Sequence, residues 1–496
     1  MVGDTPDQPP CRSLDEPDRP RTGHRPVLEP RATGGTRQRD RHVHHRARRQ
    51  PAQALGPVQP AALPLEQVPP PSPARMAGTL EAAMIPAAFA QPRGGARDPV
   101  TLARVLMIAL VLALLFSPPL VNLFEGLLFA VAIVSRDIRS RLAVVVREPM
   151  VAAAVALALL IALAATYSVA PPGDAWQAVI GWRKILLLPL GAALFDDSAW
   201  KARVVHWLVG AVLVCMVASF VSWGLGIHLY KLDIGIAIRN HATQGIMFAV
   251  TSFCIVILLR EGWHGMDRRL RLVLLTGLAG LLLNIALVTP GRSGYVVLLV
   301  LATALPMTWV RAPLGLRQLL LAGALFVAVC AALATIPATR DRIMQGVHEM
   351  ETYRQSQELT SMGIRVVMLQ HTLTLLEAHP LRGYGTGSFK TAYHELIKDK
   401  QGWQAVDVAD PHNQYLKIWV EQGIAGLLLL FAILVAAPFR QVPQPYRALG
   451  LAVTAAWCAT SLTSSHFSTF SEGRFILAWM GMMLALNYTG RHGHTV

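Results

Sequence analysis

From Thr101 onward the chain is a succession of apolar runs, most near the length of a bilayer crossing, joined by polar loops that are mostly short. That pattern leaves few folds open. In hydrocarbon only helices and closed barrels satisfy every backbone amide and carbonyl, and these runs are continuous in Leu, Ala and Val, without the alternation of barrel strands. The chain is therefore read as an all-α polytopic membrane protein. A span takes roughly 17 to 25 residues. Twelve candidates lie near 102–116, 119–135, 150–167, 185–196, 204–226, 242–259, 272–289, 293–310, 317–336, 413–437, 447–465 and 474–489. The first two form a hairpin about Ser117-Pro118-Pro119, and the fourth is short. Spans one to nine fall in 99–336 and spans ten to twelve in 413–496, with one large loop, 337–412, between them.

Composition supports this reading, since 53% of residues are hydrophobic and only 15% are charged, against a soluble globule. A net charge of +15 suggests nucleic acid at first sight. No basic run is interleaved with aromatics on a folded domain, however, and cytoplasmic loops of membrane proteins are rich in Lys and Arg, so no nucleic-acid partner is expected. One alternate set of loops holds Arg136, Arg139, Arg141, Arg147, Lys201, Arg203, Arg260, Arg268, Arg269, Arg271, Arg311, Arg317, Arg440 and Arg447. The other holds Arg183, Lys184, Lys231, Arg239, Arg292 and Arg474. The richer set is assigned to the cytoplasm, which puts both termini inside and the large loop outside. Cys215, Cys254, Cys330 and Cys458 sit in apolar spans and Cys11 in the tail, so packing is expected of the buried cysteines rather than a disulfide framework.

Residues 1–98 form a separate zone, rich in Pro, Arg and His up to Arg75 and too poor in large apolar residues to build a core, so disorder is expected. It lacks the apolar stretch of a signal peptide. Composition changes at Met76, which makes it a candidate natural start, with 1–75 untranslated.

The outer basic residues run against the charge rule, so each needs a neutral explanation or an anionic partner. Arg183 and Lys184 open a span and read as interfacial snorkels. Arg292 sits in Thr289-Pro290-Gly291-Arg292-Ser293-Gly294, a tight turn that holds a guanidinium at the membrane surface for a ligand or for lipid headgroups. In the large loop, Gly363–Ala378 has the spacing of an amphipathic helix with Arg365 in its first turn, ended by His379-Pro380. Gly383-Tyr384-Gly385-Thr386-Gly387 follows, either a simple turn or a phosphate cradle, and then a short helix over 388–398. Asp410 is an N-cap candidate with Pro411 in first helical position, which places His412 and Asn413 in the first turn of span ten. The positive helix end would disfavour a second positive charge and preserve a base there. A structural histidine remains the other reading. Glu421 and Gly423, farther along the span, read as packing and a buried hydrogen bond. His371, His379, His394 and His412 lack close ligand spacing, so no metal is expected, and no Gly-x-Ser-x-Gly elbow is present.

His412-Asn413, followed after nine residues by Gly423-Ile424-Ala425-Gly426, resembles the signature of the O-antigen ligase and polymerase superfamily. Arg365, the His379–Gly385 run and Phe389 resemble that family's periplasmic loop, and Gly291-Arg292-Ser293 its arginine turn. The resemblance implies an inverting glycosyltransferase with no metal or other cofactor, in the bacterial inner membrane with its active site facing the periplasm. Its donor would be a glycan on undecaprenyl pyrophosphate and its acceptor a sugar of the lipid A core, with membrane lipids around it and no obligate protein partner. His412 would be the general base, Arg292 and Arg365 would bind pyrophosphate, and Asn413, Asp410, Gly383 and Gly385 would support them; Arg239, on the same outer side by the charge count, is a candidate third phosphate contact. The alternatives are an O-antigen polymerase or a protein O-oligosaccharyltransferase using the same donor. A lipid-linked sugar transporter fits less well, because ionisable residues within the spans are few, Glu125 and Glu421 excepted.

Overall fold

The computed structural model describes residues 98–229, 232–289, 291–309, 315–335 and 361–487, with isolated positions between 336 and 360. The tail to residue 97, including Cys11 and Met76, and Lys231 lie outside the described residues. Every described element is helical. In chain order they are α1 Pro99–Ala113, α2 Pro118–Val134, α3 Arg136–Val145, α4 Pro149–Ala165, α5 Pro172–Trp182, a 3-10 turn Arg183–Leu186, α6 Leu187–Leu194, α7 Ser198–Leu225 and α8 His241–Gly262. There follow α9 Arg268–Leu287, α10 Arg292–Ala304, α11 Leu316–Thr335, α12 Ser361–Ala378, α13 Phe389–Ile397, α14 Gln414–Ala436, α15 Tyr446–Thr460 and α16 Ser471–Met483.

The starts of these helices follow from local chemistry. Asp98, Asp197, Asn240, Asp267 and Asn413 cap with their side chains, and α1, α2, α4 and α5 open on proline, whose missing N–H costs nothing in a first turn.

Each expected span has a helix, but the count of twelve crossings is not reproduced by length. Six helical stretches are long and apolar enough: Pro172–Leu194, Ser198–Leu225, His241–Gly262, Arg268–Leu287, Leu316–Thr335 and Gln414–Phe439. A seventh arises if α2 and α3, bent by 92° at Ser135, form one broken span. Pro99–Ala113, Pro149–Ala165 and Ser293–Thr308 are apolar but shorter. The fourth expected span, 185–196, is the second half of a stretch that begins at Pro172, because the polar Arg183-Lys184 pair lies inside it as the 3-10 turn.

Small residues bring helices into backbone contact. A Cβ on Gly191 of α6 would lie 2.8 Å from the Met482 amide of α16, and one on Gly294 of α10 would lie 3.0 Å from the Gly245 backbone of α8. Such crossings suit a bilayer, where packing rather than exclusion from water holds helices together. Four free cysteines occur among the described residues, with Cys215 and Cys254 buried in the core as packing residues.

A buried polar cluster shapes the loop before α8. Gln244 donates to Ser219 Oγ (3.1 Å) and Gly235 O (3.0 Å) while its Oε1 accepts from the Ala237 and Ile238 amides; Asn284 donates to Ser219 Oγ at 2.8 Å. These bonds fold residues 235–240 over the ends of α7 and α9 and so place Arg239.

Candidate functional site at the head of α14

The cap at α14 is Asn413, three residues later than the sequence suggests. Its Oδ1 accepts from the Tyr415 amide (3.0 Å) and the Leu416 amide (3.1 Å), and its Nδ2 donates to Leu462 O (3.1 Å). Asp410 is not the cap because its carboxylate is engaged elsewhere. It accepts from the His412 amide (2.8 Å), from Ser465 Oγ (2.6 Å) and from Lys417 Nζ (2.6 Å). His412 thus stands outside the first turn, exposed, with φ +48°, a left-handed backbone that a side chain rarely adopts. Burial pushes the Asp410 carboxyl up, but attraction to Lys417 and the three hydrogen bonds outweigh it and hold the group below the ordinary carboxylate range.

The wall facing this cap is the 461–470 loop between α15 and α16. Gln414 ties it down: its amide donates to Ser461 O (2.9 Å), and its Oε1 accepts from the amide and hydroxyl of Ser468 (2.9 and 3.1 Å). Lys184 reaches the same loop, donating to Ser468 O and Thr469 O. It is 2% exposed, so it is a buried tether and not a snorkel. Arg183 is not a simple snorkel either, since it pairs at 2.8 Å with Glu125, which also takes Arg474 at 3.0 Å.

Within this loop, His466 is buried and neither ring nitrogen has a partner among the described residues. Burial pushes its pKa down and Glu472 brings it only part of the way back.

Arg239 arrives at the same end with φ +40° and its guanidinium 5.4 Å from the Phe470 ring, the ring that also carries Arg474 at 4.1 Å. The turn before α10 packs beside it, since a Cβ on Gly291 would lie 3.5 Å from His241 O. The Arg292 side chain lies outside the described residues. Arg365 is exposed in the first turns of α12. That helix packs through Met368, Leu375 and Leu376 on Phe389, Tyr393 and Val420, and no described contact brings Arg365 to His412 or Arg239.

The glycine-rich turn has a structural task. The Tyr384 amide donates to Val420 O (2.8 Å), the Gly385 amide to Glu421 O (2.9 Å), the Thr386 amide to Ala164 O (3.2 Å) and the Gly387 amide to Glu421 Oε2 (3.2 Å). The Gly383 amide is used too, toward His379 O (3.1 Å). With these amides bound to protein, the turn is not a phosphate cradle. It is sewn into α14 where Gly423 (φ 67°, ψ −170°) interrupts the helix and frees two carbonyls. The glycines are required by contact: a Cβ on Gly383 would lie 2.6 Å from Val420 O, one on Gly385 2.7 Å from Ala164 O, and one on Gly423 2.6 Å from the Leu381 carbonyl carbon. Glu421 has the expected buried hydrogen-bond role.

Ser465, Lys417, Gln414 and the Glu125–Arg474 pair are partners that the sequence does not reveal. For Lys417, Glu125 and Arg474 the available signal is a charge within or beside an apolar run, which in a bilayer implies a partner without saying which; uncharged Ser465 and Gln414 carry no such signal.

The O-antigen ligase family model matches residues 277–431, a range that includes the arginine turn, the loop helices, the glycine turn, His412 and Gly423. A Haemophilus influenzae (strain Rd) protein described as uncharacterized is 31% identical over 81 residues, 16% of this chain and 20% of the relative's length. The similarity to the O-antigen ligase family lies in this 277–431 segment, which supplies the head of α14 and the loop stitched to it.

Proposed function

We propose that the protein is an O-antigen ligase: it moves a glycan from undecaprenyl pyrophosphate to a sugar hydroxyl of the lipid A core, with inversion at the transferred carbon. The family is one of ligase- and polymerase-type glycosyl transfer; the donor, acceptor and residue roles are this proposal's own. The observation that carries it is His412, exposed in a left-handed backbone at a helix head, its amide bonded to the Asp410 carboxylate that Ser465 and Lys417 also hold. Strain of this kind persists where the surroundings over-determine it, and such positions cluster at active sites.

In this mechanism His412 accepts the proton of the acceptor hydroxyl as the oxygen attacks the anomeric carbon, a contribution of about 10²- to 10⁴-fold. Arg239, Arg292 and Arg365 neutralise the departing diphosphate, each charge-assisted contact contributing about 1.5 to 3 kcal/mol. Diphosphate is already a stable leaving group, so arginine charge can serve in place of a divalent cation. The apolar cavity of about 350 Å³ among α8, α9, α10 and α11, lined by Phe253, Leu282, Leu298 and Leu333 among others, supports a lipid-tailed substrate. The proposed setting is the bacterial inner membrane, with the head of α14 at the periplasmic surface and both termini in the cytoplasm.

The test is transfer by purified protein in detergent from a lipid-linked glycan to lipid A core, with and without EDTA. Product that resists EDTA and disappears in His412→Ala supports the reading. Wild-type transfer by His412→Ala overturns the base assignment, and glycan added only to other glycan moves the protein to the polymerase branch.

A further inference from the structure

The proposed chemistry needs His412 to present its imidazole to an acceptor, and nothing in a helix N-terminus by itself holds the preceding residue in a left-handed backbone. Asp410 is the feature that does. Its one carboxylate bridges three parts of the chain: Oδ1 takes the His412 amide (2.8 Å) and Ser465 Oγ (2.6 Å), and Oδ2 takes Lys417 Nζ (2.6 Å), one turn into α14. Asn413 Nδ2 on Leu462 O and Gln414 on Ser461 and Ser468 fasten both sides of the same loop.

Resting on the ligase-type reading above, we propose that Asp410, Ser465 and Lys417 form a positioning device for His412, with Ser465 its contribution from outside the matched 277–431 segment. The lysine cation keeps the carboxylate ionised and fixed relative to α14; the serine hydroxyl fixes it relative to the α15–α16 loop; and the carboxylate then holds the His412 amide, and with it φ. No proton is transferred within the device. Its effect is on where the imidazole stands, and a displacement of about 1 Å at a reacting group can cost about 10²-fold in rate.

The experiment measures kcat and donor KM for Asp410→Ala, Ser465→Ala and Ser465→Thr beside His412→Ala, each normalised to the monodisperse fraction recovered by gel filtration. Removing Asp410 is expected to lower kcat about 10²-fold. Ser465→Ala, which leaves the ion pair intact, is expected to lower kcat less, and Ser465→Thr to restore most of it. Donor KM is expected to stay within about twofold throughout, because the device touches the base and not the diphosphate. Unchanged kcat in both alanine variants, or a loss residing in donor KM or in the folded fraction alone, would overturn the proposal. If His412→Ala is itself fully active, the base reading fails; if His412→Ala is inactive and Asp410→Ala transfers at the wild-type rate, only the positioning device fails.

Discussion

The two ends of α16 hold their cations differently. At its C-terminal end four cations have fixed protein partners: Arg104 and Arg141 share Asp196 (both 2.7 Å), Lys201 donates to Ala485 O (2.6 Å), and Arg440 bridges Glu148 and Leu484 O. At its N-terminal end the cations divide. Arg183, Lys184 and Arg474 are tied to Glu125 or to loop carbonyls, whereas Arg239 has only a ring face and no ion pair among the described residues. Charge counting puts all of these except Arg104 in two sets and cannot separate fastener from free cation. Geometry does: the buried, paired cations serve the fold, and Arg239, without an ion pair among the described residues, is the cation that the proposed function places on the anionic substrate.

The strongest way to break that comparison is Glu125→Ala, which leaves Arg474 buried without its counter-ion. About 3 to 5 kcal/mol of stability is expected to go, read as a fall in melting temperature and in monodisperse yield; an unchanged melting temperature would make Arg474 a free cation after all. Gly423→Ala comes next. The new methyl strikes the Leu381 carbonyl in a backbone region closed to alanine, and about 2 to 4 kcal/mol is expected to be lost, checked by the same melt and by protease cleavage in 380–388. Arg239→Ala is smaller and of the opposite kind. It is expected to raise donor KM by about tenfold or more, equivalent to about 1.5 to 3 kcal/mol, while the melt stays put; Arg239→Lys should recover only part because the fork is gone.

The smallest effects are in pH. His466 binds a proton less readily folded than unfolded, so the unfolded chain holds more protons as pH drops. Stability contributed by neutral His466 is complete above its ordinary value of 6.5 and is lost as pH falls below it, by at most about 1.4 kcal/mol per pH unit. His466→Ala should flatten that limb of a melt-against-pH plot. Asp410, depressed from 3.8, contributes stability that is complete above that value and lost only as pH falls through its lower folded value, so the His412 clamp should outlast the His466 transition on acidification.

Much of the helix order was legible because apolar runs in lipid have one solution, and His412, the arginine turn and the glycine turn stood out by residue type and spacing. What stayed hidden was pairing at long range. Glu125 and Arg474 are 349 residues apart, and no periodicity links them. The cap was misplaced for a similar reason: Asp410 and Asn413 are comparable N-caps on intrinsic grounds, and Lys417 with Ser465, the latter from another loop, decided between them by occupying the aspartate. The glycine turn was ambiguous because glycine permits both anion binding and close approach; only the carbonyls freed at Gly423 show which is used. Span counting failed at Arg183-Lys184, where buried partners let two cations sit inside an apolar stretch.

The interruption at Gly423 has a mechanical consequence. Because Tyr384 and Gly385 hydrogen-bond to α14 on one side of the break and the Ile424 amide donates to Pro380 O on the other, segment 380–387 is anchored partway along a candidate span instead of at its tip. Pivoting that segment means unzipping α14 at its middle, so its natural motion is as one piece with the helix. A tug on the 380–387 segment would then reach the C-terminal half of α14 as directly as a lever reaches its far arm.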